Sequence, residues 1–218
     1  MNSFNKNHRC IQIKRVSVIK KMLILFICFG MQPLLFSQVL KNVDAIFPFH
    51  ENLAAVKKGN EWAFINKDGE KVIDFRSDIV FSKSTKKNSS YPMFVEGKCL
   101  IKKEVNNEYR YGYIDIKGTI IIEPQYLNAT NFTDGYAMII KPDVTTMGSN
   151  NVLGKKMIYS KLEEYIIDSS GKIIKFLDNS RAYIPSKTKE VPKFKSKLIA
   201  PNIVAIETKN GKWNIEKF

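Results

Sequence analysis

His50 and Cys99 are the two residues after position 37 whose side chains could do chemistry of their own. A histidine can serve as the base of a Ser–His–Asp arrangement, and histidine and cysteine together can bind zinc. Both uses need further partners at a defined spacing, and residues 38–218 contain no second histidine or cysteine. The sequence therefore predicts a loop position for His50 and a small buried strand residue at Cys99, with no catalytic residue, no metal site and no cofactor.

Carboxylates could supply a second kind of chemistry. Asp115 and Asp168 could act as general acid and base if a cleft held them about 5–10 Å apart. Each precedes a glycine by three residues. At that spacing an aspartate bonds its own downstream backbone in a turn, so we interpret both as turn residues. One enzymatic alternative stays open, an envelope hydrolase that uses paired carboxylates near residues 142–162.

The two aspartates belong to a pattern that the chain repeats, which indicates a repeat architecture. Residues 62–69 and 111–118 share an aromatic residue, a short apolar run, an Asn or Asp, and a final glycine. A fainter copy covers residues 165–171, and a truncated one lies at residues 211–214. The turn glycines of the first three copies lie 49 and 53 residues apart. Since glycine accepts positive φ without steric cost, each of these copies is predicted to form a β-hairpin.

A further strand is predicted before each hairpin, at residues 51–58, 96–103, 134–141 and 201–207. In these segments small and β-branched residues recur at every second position, as a half-buried strand requires. Few segments show a helical period. We therefore expect an all-β fold of tandem hairpins, forming either a meandering sheet or a propeller-like or open stacked array, after an N-terminal signal helix.

At these residues the chain resembles the WG repeat family, also written KWG. Residues 106–141 match its pattern best; the first copy has Ala63 in place of a glycine, and the third has Glu164 in place of the tryptophan. The positions that carry the resemblance are Trp62, Gly69, Tyr111, Gly112, Asp115, Gly118, Pro124, Tyr126, Asp168, Gly171 and Trp213. The resemblance implies stacked hairpin units with a binding or structural role and no catalytic residue. Because proline cannot continue a central strand, Pro124 is predicted to end the second hairpin.

The repeat domain is predicted to span residues 38–218. Its units are placed at about residues 47–93, 94–131, 132–197 and 198–218, the last one truncated. Three and a half units are few for a closed ring, so a partner chain could complete one.

Residues 1–37 have the composition of a secretory signal peptide. They carry six basic and no acidic residues, and the apolar run at 22–36 precedes Ser37 and Gln38, a plausible cleavage point. That run is broken by Gln32 and Pro33, whereas a membrane-spanning helix needs about 20 apolar residues, so no stable membrane span is predicted. We expect a secreted protein, periplasmic or extracellular, and the Lys, Asn and Ile bias is typical of a bacterial chain.

The formal net charge of +14 falls to about +8 without the six basic residues of the signal. Lysines dominate the stretches at 82–90 and 187–197, whereas nucleic-acid surfaces add Arg and stacking aromatics, so no nucleic acid is predicted. Weak attraction to an anionic surface is the alternative use. The expected partner is an unknown protein or glycan of the cell envelope, with a purely structural envelope role as alternative.

The aromatic residues of the repeats, including Tyr113 and Tyr136, are predicted to pack between units rather than to line a groove.

Overall fold

The computed structural model describes residues 40–83, 90–150, 155–183 and 190–218, and every regular element in them is a β-strand. The prediction of an all-β fold is confirmed. The predicted signal helix and its cleavage point lie outside the described residues, as do the centres of both lysine-rich stretches. In the described part of the chain, no helix is long and apolar enough to cross a membrane.

Four antiparallel sheets follow one another along the chain, and a separate two-stranded pair (β5, β6) lies between the first and the second. The first sheet contains β1–β4, the second β7–β9, the third β10–β13 and the fourth β14–β16. The strands are β1 Ala45–Ile46, β2 Ala54–Lys58, β3 Glu61–Ile65, β4 Lys71–Arg76, β5 Ser82–Lys83, β6 Ser90–Tyr91, β7 Lys98–Val105, β8 Glu108–Asp115, β9 Ile120–Tyr126, β10 Asn128–Ala129, β11 Tyr136–Asn150, β12 Lys155–Asp168, β13 Ile173–Tyr183, β14 Ser196–Ala200, β15 Ile203–Glu207 and β16 Trp213–Lys217.

Two of the sheets begin with a short strand that sequence analysis did not find. In the first and third sheets this strand has two residues, β1 and β10. The second sheet has an isolated bridge between Ile79 and Ile101 in the same place. A two-residue strand is too short to show the period of two on which strand prediction depends.

Alternation of side chains gives each sheet a front face, toward the preceding sheet, and a rear face, toward the following one. Three apolar clusters join consecutive sheets. The first sheet's rear face (Leu53, Ala55, Trp62, Phe64, Ile73) packs on the second sheet's front face (Ile79, Cys99, Ile101, Ile114). The second sheet's rear face (Leu100, Tyr111, Tyr113, Ile122) packs on the third sheet's front face (Ala129, Ala137, Ile139, Ile167). The third sheet's rear face (Met138, Ile166, Leu177) packs on the fourth sheet's front face (Val204, Ile206). Of the two predicted arrangements, the described sheets therefore form a stack rather than one continuous meandering sheet.

The predicted turns have the expected chemistry. Asp115 Oδ1 accepts hydrogen bonds from Lys117 N and Thr119 N, both at 2.9 Å. Asn66 and Asp168 accept bonds from the equivalent backbone groups of their own turns. The glycine that follows each of the three has a φ between 81° and 86°.

The same turns also join the sheets. A methyl group added to Gly118 would lie 3.2 Å from Ile73 of the first sheet. One added to Gly171 would lie 3.2 Å from Ile122 of the second. Gly118 and Gly171 therefore each serve twice, because each takes positive φ and lets its sheet approach an isoleucine of the sheet before it.

Pro124 does not end its strand, so that prediction is wrong. β9 continues through Pro124 to Tyr126. It is the edge strand of the second sheet, and an edge strand can hold a proline because its outer N–H needs no partner. Tyr111 pairs with Tyr126 and Tyr113 with Ile122, so β9 has two extra residues there and the bulge lies on β9, opposite Gly112.

Residues 142–150 and 155–162 make β11 and β12 longer than the equivalent strands of the other sheets, an extension called the inserted hairpin. The two strands pair from Tyr136 opposite Asp168 as far as Asn150 opposite Lys155, with one shift at Thr146 and Gly148.

Replacing Gly112 with alanine tests the bulge. The new methyl group would lie 2.7 Å from the backbone nitrogen of Pro124, so β9 would have to move. We expect the free energy of unfolding, measured by urea denaturation, to fall by about 1–3 kcal/mol. Gly59→Ala is the control, because nothing lies within 4 Å of its added methyl group and only its positive φ is strained. A Gly112→Ala variant as stable as the wild type would show that close approach at Gly112 does not matter.

Candidate interaction site

A two-residue turn precedes β2, β7 and β11, and each turn begins with a carboxylate residue. These residues are Glu51, Glu96 and Asp134, with φ of 48°, 52° and 53°. The second residue of each turn, Asn52, Gly97 or Gly135, also has positive φ. Two successive residues of positive φ are typical of the type I′ hairpin turn.

Each glutamate of this series binds the turn of the next sheet. Glu51 accepts hydrogen bonds from Glu96 N at 2.7 Å and from Gly97 N at 2.8 Å, one with each carboxylate oxygen. Glu96 accepts one from Gly135 N at 2.9 Å. Asp134 is one methylene shorter, and the turn of the fourth sheet begins with Pro201, which has no N–H to donate. The series of carboxylate bonds therefore ends at the third sheet.

Removing one of these carboxylates tests the series. Glu51→Ala loses two charge-assisted hydrogen bonds at a solvent-exposed turn, and we expect about 1 kcal/mol less stability in urea denaturation. Asp134→Ala is the matched control, because it changes the same turn position but removes neither of these bonds. If the control loses as much as Glu51→Ala, the cause is strain at positive φ rather than the bonds between sheets.

One position on the rear face holds the characteristic aromatic residue of the repeat. Trp62 and Tyr111 are buried there, with 6% and 8% of their surface exposed. The same position holds Glu164 in the third sheet, fully buried, and Trp213 in the fourth, 43% exposed. Of the other aromatics, Tyr113 is buried and donates to Thr130 O at 2.6 Å, whereas Tyr136 is half-buried against Phe218.

Glu164 makes the junction between the third sheet and the chain before β14 polar. Its Oε1 accepts hydrogen bonds from Arg181 Nη1 at 2.8 Å and from Lys195 N at 2.9 Å. Arg181 Nη2 donates to Lys193 O at 2.6 Å, so the pair fastens residues 193–195 to the third sheet. No described residue donates to Glu164 Oε2, although that atom is buried.

An open cleft of about 520 Å³ lies beside this pair. Arg181, Lys193, Lys195, Glu190, Tyr183 and Phe194 contribute to its walls. Tyr183 also donates a hydrogen bond to Glu108, which forms an ion pair with Arg110 at 2.7 Å. Burial, together with the bond to Glu108, raises the pKa of Tyr183. The cleft thus carries both signs of charge and can offer hydrogen bonds to a polar partner.

The residues that could do chemistry by themselves are dispersed. His50 is exposed, and its Nδ1 lies 2.5 Å from the carbonyl oxygen of Phe94. Cys99 is fully buried, and burial raises the pKa of its thiol to about 12, so the thiol stays protonated at neutral pH.

Asp115 and Asp168 bind their own turns, and the hydrogen bond from Ser170 is the main cause of the lowered pKa of Asp168. Among the described residues, no three His, Cys, Asp or Glu side chains are placed to hold one metal ion.

Two carboxylates of the inserted hairpin lie close together. Asp143 and Glu163 are diagonal neighbours on one face of β11 and β12. Glu163 accepts hydrogen bonds from the hydroxyl groups of Tyr165 and Ser180. Burial raises the pKa of Tyr165 to about 12, and Glu163 adds to the shift. These are the residues that the hydrolase alternative would have to use.

Comparison with known families supports the repeat pattern. The family described as WG containing repeat matches residues 41–62 and 111–141. These two stretches of the chain match WG repeats. The prediction of this family is confirmed, and the matched residues include Trp62, Tyr111 and the turn glycine Gly118. No curated protein and no solved structure gives a significant match to the chain.

Sequence reasoning noted that Glu164 replaces the WG-repeat tryptophan but did not find its partner Arg181. The bulge between Leu162 and Glu164 sets the pairing of β12 with β13, and it has no sequence signal. The carboxylate turns were missed as well, although Glu51, Glu96 and Asp134 begin the aligned strand segments of three copies. The signal that could have revealed these turns is a carboxylate residue that recurs at the same position of three copies.

Removing one member of the Glu164 pair should be costly. Glu164→Ala leaves the Arg181 guanidinium without its partner carboxylate, and we expect a loss of about 3 kcal/mol in urea denaturation. The double variant Glu164→Leu/Arg181→Met removes both charges and should lie within about 1 kcal/mol of the wild type. Glu207→Ala is the control, because its ion pair with Lys195 spans 3.7 Å and is exposed. A double variant as unstable as Glu164→Ala would contradict this role of the pair.

Proposed function

We propose that the chain is an exported, non-catalytic protein-interaction module of the cell envelope. The observation that carries the proposal is the set of WG repeats, whose characteristic residues join one sheet to the next. Trp62, Tyr111, Gly118 and Gly171 all lie in contacts between sheets. Repeat proteins of this kind use the surface of the stack for binding while the repeat residues hold the stack together.

Export is supported by the basic and apolar composition of residues 1–37. The lysine excess after this segment favours partners with acidic surfaces, and interaction with envelope proteins or glycans follows from these two properties together. The cleft beside Arg181 adds a place where polar groups of either charge could bind.

The hydrolase alternative depends on Asp143 and Glu163. In the paired strands Asp143 stands opposite Lys161, and Glu163 stands opposite Lys141. Opposite charges on facing strand residues stabilise a sheet, which explains both carboxylates without catalysis. We therefore prefer the interaction module.

Fractionation of cells that express the full chain tests the proposal. We expect the protein outside the cytoplasm, with an N-terminus near Gln38 by N-terminal sequencing, and saturable binding to an envelope protein or glycan at both low and high salt. The double variant Asp143→Asn/Glu163→Gln should bind equally well. A cytoplasmic full-length product would refute export. Turnover of an envelope polymer that this double variant abolishes would refute the non-catalytic role.

A further inference from the structure

The rear face of the fourth sheet differs from the other three. Strand pairing places Ala205 opposite Ile215 and Glu207 opposite Trp213, so these four side chains share one face. Lys197 pairs with Ala205 and lies on the same face, with its Nζ 4.4 Å from the centre of the Trp213 ring. Val204 and Ile206 point the other way, into the cluster shared with the third sheet.

No other sheet of the described chain packs on this rear face, although Lys197 lies over the Trp213 ring. Ile215 is 69% exposed and Trp213 43%, whereas Phe64 and Trp62, at the equivalent positions of the first sheet, are 1% and 6% exposed. Ile199, two residues after Lys197 on the neighbouring strand, is 52% exposed. The first, second and third sheets show what such a face contacts, because each packs its rear face on the front face of another β-sheet.

The charges at the edge of the exposed face indicate which kind of protein could bind to it. Lys197, Lys209, Lys212 and Lys217 are all exposed around it. Glu207, on the rear face, is already paired with Lys195. Glu216 stands opposite Val204 on the front face and is paired with Lys175. Two copies of the chain placed face to face would bring these lysines together, and like charges oppose association. A partner with acidic residues around an apolar surface would complement it.

We propose that the rear face of the fourth sheet, centred on Trp213 and Ile215, is the docking surface for a partner protein. The partner presents an apolar β-sheet face bordered by Asp and Glu. This inference rests on the proposed function, because it names the surface and the partner class of that interaction module. Trp213 is the anchor, since large aromatic side chains carry much of the binding energy at protein interfaces.

Site-specific photo-crosslinking in the full exported chain tests the surface. One variant carries a benzophenone amino acid at position 215, and the matched control carries it at position 46, because Ile46 is 63% exposed on the first sheet. In envelope extract we expect position 215 to crosslink one protein through a segment rich in Asp and Glu, and position 46 to give none of this product. Crosslinking to a second copy of the chain, or equal crosslinking at both positions, would overturn the proposal.

Binding of the purified crosslinked partner then tests the chemistry. We expect Ile215→Asp and Lys212→Glu/Lys217→Glu each to weaken binding at least about tenfold, and Ile46→Asp to leave it unchanged. Thermal unfolding of each variant should match the wild type, because the changed side chains are exposed. Unchanged binding by Ile215→Asp would refute the surface. Binding that persists through another surface would preserve the proposed function, whereas the absence of any partner in the fractionation experiment would refute both.

Discussion

The contact between successive sheets is the interaction on which the rest of this structure depends. Three rear faces of the described chain are apolar and pack on the sheet that follows. A single three- or four-stranded sheet of this size cannot bury both faces by itself, so stability comes from stacking. The WG-repeat residues serve this contact: the aromatic residue fills the interface, and the turn glycine allows the sheets to approach.

Apolar contact is not directional, so polar bonds fix how the sheets are aligned. Glu51 holds the first sheet to the turn before β7, and Glu96 holds the second sheet to the turn before β11. The third junction is built differently. Lys175 stands where the earlier sheets have Ile73 and Ile122, and it pairs with Glu216 at 2.8 Å. Nothing lies within 4 Å of a methyl group added to Gly211, so no equivalent of the Gly–Ile contact exists there. At this turn one ion pair stands in place of the Gly–Ile contact, while the apolar cluster still joins the two sheets. A partly exposed ion pair contributes less than the packing that it replaces.

Local signals in the sequence were sufficient for the hairpins, the family and the all-β fold. An Asn or Asp three residues before glycine defines a turn by its own chemistry, and alternation along five or more residues defines a strand. The first strands of the first and third sheets were too short for such a signal. Pro124 misled because its strand lies at an edge. The Glu164–Arg181 pair depends on register shifts in β12 and β13, which the sequence does not encode locally. The candidate interaction site was therefore less predictable than the fold that positions it.

One repeat position shows why residue type alone does not give a role. Trp62 and Tyr111 are interface residues because another sheet covers them, whereas Trp213 has the same chemistry and is exposed. Glu164 fills the same position with a carboxylate and still contacts the segment that follows, through Lys195 N. In all four sheets the side chain at this position points from the rear face, toward the part of the structure that comes after that sheet. The side chain then decides whether that contact is apolar and permanent, polar and confined to a specific hydrogen-bond partner, or open to another molecule.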